Sequence, residues 1–455
     1  MIIRPIKSEG LAHLSYLIGD GSKAAVIDPR RDCSCYLEMA RAAGMEITHI
    51  FETHRNEDLI SGAPILAGLT GARVLHGPNP ARPVQYAQTA RDGDCFAIGG
   101  DLTITAMETP GHTDDHLAYV IHDKGYPDGA VGVFTGDALF VGDVGRTDFY
   151  PERAEEVAGL LFDSLGKLLA LGDQAIVYPA HGAGSVCGSG MASREFSTIG
   201  HERRNSPKLK ITDRDAFIAA KLAETHYIPP YFATMERLNV EGADAMPRVT
   251  APGVLNLADL DQLAPDWMID IRSVTAFAGA HLPNALAIPV SMIPAFAGWF
   301  LDEDSRLILI ADDMAQAQEA AVHLGRIGFD QILGTVTNMV GLAAKGRSFQ
   351  SLPLVDAKTV SQRLDQRPEE WVLLDVRAQD EVEAEPMDGA EHIYIGHLRE
   401  RFRSLDVTRH YTLMCASGAR ATVAAGWLQA HGFTKLDIFL GSMGAWKAFV
   451  AGSAS

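Results

Sequence analysis

From residue 11 to about 180, short apolar runs of strand type alternate with stretches of helical periodicity. AAVIDP at 24–29 is followed by YLEMARAAG and then by ITHIFETH at 47–54. This alternation predicts a layered α/β architecture. Between 153 and 171, Val157, Leu160, Leu161, Leu165, Leu168 and Leu169 recur at helical spacing and predict an amphipathic helix facing a core. From 203 the chain is richer in charge and proline, with a helix-like stretch at 213–224 and then IPPYF. VEGADAMPRVTAPG at 240–253 reads as a linker.

Beyond it the pattern repeats. WMIDIRSVTAFAGAHLPNALAIP at 267–289 and WVLLDVRAQDEVEAEPMDGAEHIYIGHL at 371–398 each predict a strand ending in Asp-x-Arg, then a helix. Downstream, RLILIADDMAQAQEAAVHLGRIGF at 306–329 aligns with YTLMCASGARATVAAGWLQAHGF at 411–433, so a second strand, loop and helix are repeated too. The expected domains are therefore 1–245, 252–350 and 353–455, which suits a chain of 455 residues.

Composition narrows the partners. With 47% apolar and 21% charged residues the chain is of ordinary globular type. Its 58 acidic against 39 basic residues make nucleic acid an unfavourable partner, and a membrane surface too. The start, MIIRPIKSEG, lacks an apolar signal core, and no run approaches a membrane span, so the expected location is the cytoplasm. Cysteines at 33, 35, 95, 187 and 415 are few and odd in number, which fits reduced thiols; Cys33-x-Cys35 reads as incidental.

FETH (51–54), TPGHT (109–113), FTGD (134–137) and YPAHG (178–182) each end an apolar run. Three histidines and an aspartate thus fall where strands give way to loops. Such loops can converge on a ligand, and imidazole with carboxylate suits a divalent transition metal. His116 and His122 are read as structural or solvated.

The order and wording of these motifs resemble the metallo-β-lactamase superfamily over roughly residues 1–240, which implies an αββα sandwich. The family's first motif, Thr-His-x-His-x-Asp-His, reads here Thr53-His54-Arg55-Asn56-Glu57-Asp58-Leu59. Leu59 has no lone pair to give a metal and Asn56 offers only an amide oxygen, so a dinuclear hydrolytic site is disfavoured. What survives, His54, His112 and Asp137, is similar to the ligand set of the persulfide dioxygenase branch: one Fe(II) per chain, with zinc as the alternative. Two histidines and one carboxylate leave positions open on a six-coordinate iron. FVGDVGRTDF (140–149) and AHGAGSVCG (180–188) are also similar to persulfide dioxygenases fused to rhodanese modules. The resemblance implies that Asp58 and His181 orient the ligands from behind or polarise bound water. It leaves Arg146 either to a substrate carboxylate or to an ion pair with Asp148, and Cys187 either to the cleft or to the interior.

MCASGARAT at 414–422 places Cys415 at a strand end, in a glycine-containing loop that opens a helix. Loop N–H groups and the positive helix end favour a thiolate, and Arg420 adds positive charge. LLDVR (373–377), this loop and FLGSMGAW (439–446) occur in the order of the rhodanese family over roughly 353–455. That resemblance implies a persulfide on Cys415, with Arg420 and the loop amides binding anionic sulfur. Residues 252–350 resemble the same fold, but the cysteine position falls on Ala311 or Asp312, the glycine on Met314 and the arginine on Gln316. This module is expected to be silent, a spacer or interface.

The expected architecture is thus α/β: a metallo-β-lactamase sandwich followed by two rhodanese domains. The expected activity is oxidation of a small-molecule persulfide, such as glutathione persulfide, by O2 to sulfite. Sulfane sulfur then moves through Cys415 among persulfide, sulfite and thiosulfate. A zinc thioester hydrolase and a silent metal domain beside an active rhodanese stay open, as does oligomeric state, a homo-oligomer included.

Overall fold

The computed structural model describes residues 1–79, 81–185, 188, 190–246 and 252–453. Cys187 and residues 247–251 of the expected linker lie outside the described residues. The chain divides into two compact units: Met1–Pro247 with Gly325–Gly328, and Arg248–Leu324 with Phe329–Ser455. Among the described residues, no helix is long and apolar enough to cross a membrane.

The first unit holds two six-stranded sheets. One runs in sequential order through β1 (Ile2–Ser8), β2 (His13–Asp20), β3 (Lys23–Ile27), β4 (Glu46–Phe51), β5 (Arg73–His76) and β6 (Gln88–Thr89). The other contains β7 (Cys95–Ile98), β8 (Leu102–Glu108), β9 (Leu117–Asp123), β10 (Gly132–Gly136), β11 (Ile176–Pro179) and β12 (Ser197–Thr198), again in sequential order.

Period-two alternation sorts each strand's side chains into two cores. Leu14, Tyr16, Ile18 and Ile27 of the first sheet meet Ile104, Tyr119, Ile121 and Phe134 of the second in one buried cluster. Tyr16 and Phe134 pack with tilted rings, centroids 5.0 Å apart, and Phe51 and Tyr119 likewise at 4.8 Å. The opposite faces carry helices. Leu17, Val26 and Ile50 pack on Tyr36 and Leu66, while Val120, Val133 and Val177 pack on Leu161, Leu165 and Leu168 of the helix Ala154–Leu169. The result is the expected αββα sandwich, with the apolar stripe read at 157–169 covering the second sheet.

The second unit contains two parallel sheets. The first, in the order β14-β13-β15-β16, uses β13 (Trp267–Asp270), β14 (Ala285–Ala287), β15 (Leu307–Ile310) and β16 (Ile332–Val336). The second, in the order β17-β21-β20-β18-β19, uses β17 (Leu354–Val355), β18 (Trp371–Asp375), β19 (Ala390–His392), β20 (His410–Met414) and β21 (Leu436–Phe439). Read from the opposite edge, the second order repeats the first. Even β17 has a counterpart, reduced to a single parallel bridge between Val254 and Thr335. The Asp-x-Arg signature is a buried ion pair in both copies, Arg272 to Asp270 and Arg377 to Asp375, each at 2.6 Å.

Candidate functional site

Four strand ends meet at one edge of the sandwich. His54 lies three residues beyond β4, His112 four beyond β8, Asp137 directly after β10 and His181 two beyond β11. All four are essentially inaccessible. The donor atoms of His54, His112 and Asp137 all lie within 4.8 Å of one another. Asp137 Oδ2 is 3.8 Å from His54 Nε2 and 3.5 Å from His112 Nε2.

The tautomers follow from the outer hydrogen bonds. Thr53 Oγ1 donates its one proton to Asp28 Oδ2 at 2.9 Å, so at its 2.9 Å contact with His54 Nδ1 it can only accept. His112 Nδ1 donates to the Arg146 carbonyl at 3.0 Å. In the neutral rings both Nε2 atoms are lone pairs facing Asp137, and neither has a hydrogen-bond partner among the described residues. Burial holds His54 well below the ordinary histidine pKa, in its neutral, metal-binding form. Burial opposes charge on His112 as well, but Glu57 and Asp137 outweigh it and raise its pKa. Two buried, unpartnered imidazole nitrogens beside carboxylate oxygen form a donor set that fits one divalent transition metal.

His181 stands behind Asp137. Its Nδ1 lies 2.7 Å from Asp137 Oδ1 and its Nε2 3.1 Å from Asp58 Oδ2. Burial works against its charging, yet the two carboxylates hold its pKa well above the ordinary value. As an imidazolium it keeps Asp137 ionised: burial would raise that carboxyl, and the charge of His181 holds it well below the usual range.

Several contributors carried no signal in the sequence. His116 Nε2 accepts the Asp137 backbone N–H at 3.0 Å and fixes the turn that presents the carboxylate. Burial lowers its pKa to about 3, so it acts as a neutral acceptor, which agrees with its structural reading. Gly136, at φ +51°, precedes Asp137, and a Cβ there would meet His116 Nε2 at 2.5 Å and Thr53 Cβ at 2.7 Å. Asn239, on the helix Phe232–Glu241, donates to the carbonyls of Asn56 at 2.7 Å and Leu59 at 2.8 Å, so the first-motif loop is tied down from outside. Asn56 and Leu59 are buried in that loop, in place of the two missing histidines.

Arg146 takes the structural alternative. It grips Asp148 through two hydrogen bonds of 2.7 and 2.6 Å and lies over the Phe149 ring. Its carbonyl is the one that orients His112.

In the second unit Cys415 follows β20 and is buried. Its Sγ accepts the Gly418 N–H at 3.1 Å, and its own N–H donates to Ser442 Oγ at 3.0 Å. Gly418, at φ +102°, caps the helix Ala419–Ala430. The Arg420 guanidinium forms a bidentate pair with Glu381 of the helix Gln379–Ala384, at 2.5 and 2.7 Å, and Cys415 also acts on its charge. In the other copy, Ile310 pairs with Asp270 as Met414 pairs with Asp375. The counterpart of Cys415 is therefore Ala311, which the sequence left between two positions.

Residues 9–181 match the metallo-beta-lactamase superfamily, and residues 356–449 match the rhodanese-like domain. The hydroxyacylglutathione hydrolase of Tolumonas auensis is 34% identical over 168 residues, which are 36% of this chain and 60% of that protein. The match thus spans about three fifths of that relative's length. A metallo-beta-lactamase structure from Staphylococcus aureus subsp. aureus COL is 28% identical with a TM-score of 0.67, covering 74% of this chain and 98% of that one. The structure of ETHE1 from Myxococcus xanthus is 30% identical with a TM-score of 0.45, covering 52% of this chain and 98% of that one. The chain carries a metallo-beta-lactamase superfamily domain followed by a rhodanese-like domain.

Proposed function

We propose that the first unit oxidises a low-molecular-weight persulfide at one iron and that Cys415 transfers sulfane sulfur. The carrying observation is the subtraction at the first motif. With Asn56 and Leu59 in place of histidines, and with His181 and Asp58 paired to each other, one metal's worth of ligands remains. Bound there, Fe(II) would supply open positions for dioxygen and a persulfide sulfur. The overall reaction balances as RSSH + O2 + H2O giving RSH, sulfite and two protons. At the second site the Cys415 thiolate attacks the outer sulfur of thiosulfate, forming a cysteine persulfide and releasing sulfite; a thiol or persulfide acceptor then takes that sulfur. The 252–350 module is read as a silent rhodanese-like copy, with Ala311 where a sulfur carrier would stand.

The second reading, a zinc thioester hydrolase, is favoured by the hydroxyacylglutathione hydrolase relatives. Anaerobic purification, metal analysis and oxygen uptake with glutathione persulfide separate the two. About one iron per chain with one O2 consumed per persulfide supports the dioxygenase. Zinc with thioester turnover overturns it, and a metal-free chain with sulfurtransfer alone points to a silent metal domain. Cys415→Ser is expected to abolish thiosulfate sulfurtransfer while sparing oxygen uptake, and His112→Ala to do the reverse. Loss of both activities in either variant refutes independent sites.

A further inference from the structure

We propose that Ser442 is a positioning residue for sulfur transfer, which aims the Cys415 sulfur by fixing the peptide on the N-terminal side of the cysteine. Ser442 opens the helix Ser442–Ser453 and is fully buried. Its hydroxyl donates its one proton to the Phe439 carbonyl at 2.8 Å, so its oxygen is the acceptor for the Cys415 N–H at 3.0 Å. The next two N–H groups of the helix reach the same loop, Met443 to the Cys415 carbonyl at 3.1 Å and Gly444 to the Ala416 carbonyl at 3.0 Å. Both peptide planes that flank Cys415 are thereby held. Its backbone torsions cannot drift, and the sulfur, left with one side-chain torsion, comes to rest 3.1 Å from the Gly418 nitrogen.

The arrangement strains the backbone. Ser442 has φ +43°, a left-handed conformation that residues with a Cβ disfavour, and Gly441 before it is also left-handed at φ +76°. The 252–350 module shows that a helix can start at the matching place without this. Ile438 pairs with Leu413 and Thr335 with Leu309, so Phe439 and Val336 are matching strand ends. Three residues beyond each, a helix begins, at Ser442 in one module and at Met339 in the other. Before Met339 stands Asn338 at φ −114°, whose side chain accepts the Gly341 N–H at 2.7 Å as an ordinary helix cap. Neither Asn338 nor Met339 is left-handed, and Met339 offers no hydroxyl. The strained serine therefore accompanies Cys415, and the relaxed start accompanies Ala311.

The consequence falls on the chemical step. Attack on thiosulfate needs the cysteine sulfur in line with the bond it breaks, and a displacement of about 1 Å costs as much as about 100-fold in rate. The ties from Met443 and Gly444 survive loss of the hydroxyl, so the loop that meets the anion stays in place while the sulfur loses its aim. Loss of the hydroxyl should therefore lower kcat more than it raises KM. The inference rests on the reading of Cys415 as the sulfur carrier but not on the iron site.

The test uses the full chain with thiosulfate as donor and cyanide as acceptor, which leaves with the sulfane sulfur as thiocyanate and returns the Cys415 thiolate. Ser442→Ala and Ser442→Gly both remove the hydroxyl, but only glycine relieves the backbone; circular dichroism checks the fold of each. The glycine variant should melt above the alanine variant by roughly 2–4 °C. Both are nevertheless expected to lose about 10–100-fold in kcat, with KM changed by less than about threefold. Activity that recovers in the glycine variant along with its melting temperature makes the role of Ser442 purely structural and overturns the proposal. A kcat within about twofold of the wild type in either folded variant overturns it too. Cys415→Ser is the parallel control: if it turns over like the wild type, the sulfur-carrier reading fails, and that failure is distinct from failure at Ser442 alone.

Discussion

Replacing Thr53 by valine tests whether the outer hydrogen bonds prepare the metal site. Thr53 is fully buried, and its backbone N–H donates to Asp28 Oδ1 at 2.7 Å while its hydroxyl bridges Asp28 and His54. Burial pushes the Asp28 carboxyl up to about 7 even though two hydrogen bonds from Thr53 pull it down, so these bonds carry weight. Valine keeps the shape but leaves the His54 Nδ1–H without an acceptor, at a cost of about 1–3 kcal/mol for a buried donor. The imidazole can then move its proton to Nε2, where it competes with the metal. Loss of such a partner lowers metal affinity by about 10–100-fold. Chelator competition with Zn(II) measures it directly, and Thr53→Ser, which keeps the hydroxyl, should stay close to the wild type. A folded Thr53→Val variant with wild-type affinity would show that the tautomer is not set by this chain of bonds.

Glu224 pairs with Lys208 and with Lys221, which also donates to the Gly145 carbonyl at 2.8 Å, so the pair braces the loop behind His112. Burial opposes its ionisation, but His226 and the two lysines lower its pKa from 4.5 to about 2. A depressed carboxyl stabilises the fold fully above its unfolded pKa and loses that contribution as pH falls through the folded one. Glu224→Gln is therefore expected to cost about 1–2 kcal/mol at pH 7, after discounting for solvent screening. The gap in melting temperature from the wild type should close between about pH 4.5 and 2, and a constant gap would reject the account. Trp427→Ala should destabilise the second unit by about 3–5 kcal/mol in denaturant unfolding, since this buried ring packs on both Trp267 and Phe300; a loss below about 1 kcal/mol would contradict that packing.

The sandwich was legible because its periodicities are strong. Alternating strands and a six-position leucine and valine stripe can be read without knowing their partners. His54, His112 and Asp137 were legible because each ends an apolar run within a recognisable phrase. Thr53, His116, Gly136 and Asn239 were not, since their roles depend on which groups the fold sets opposite them. His116 is indistinguishable in sequence from an incidental histidine until Asp137 N–H is placed on its Nε2. Glu57 is a further case: in the sequence it is an ordinary charge in a polar loop, yet it lies buried 3.5 Å from His112 Nε2. Arg420 was half legible: its spacing from Cys415 suggested a charge near sulfur, and Cys415 does act on it, but its pair with Glu381, 39 residues upstream, could not be read.

The 252–350 module, which we read as a silent rhodanese-like copy, shares the strand order and the Asp-x-Arg pair and has alanine at the cysteine position, and the helix that follows Cys415 packs against it. Ala421 through Leu428 are buried without interruption, so this helix has no solvent stripe. A helix buried all round must be covered on both sides. One side faces its own sheet; the other meets the silent copy, where Trp267 and Phe300 approach Trp427, and His281 Nε2 meets Gln429 Oε1 at 2.7 Å. Gly426 permits the close approach, since a Cβ there would stand 3.1 Å from Phe277. The N-terminal end of this helix carries Gly418, whose N–H is directed at the Cys415 sulfur. Residues that hold the helix from that side, Trp267, Phe277 and Phe300, therefore also hold the loop of Cys415.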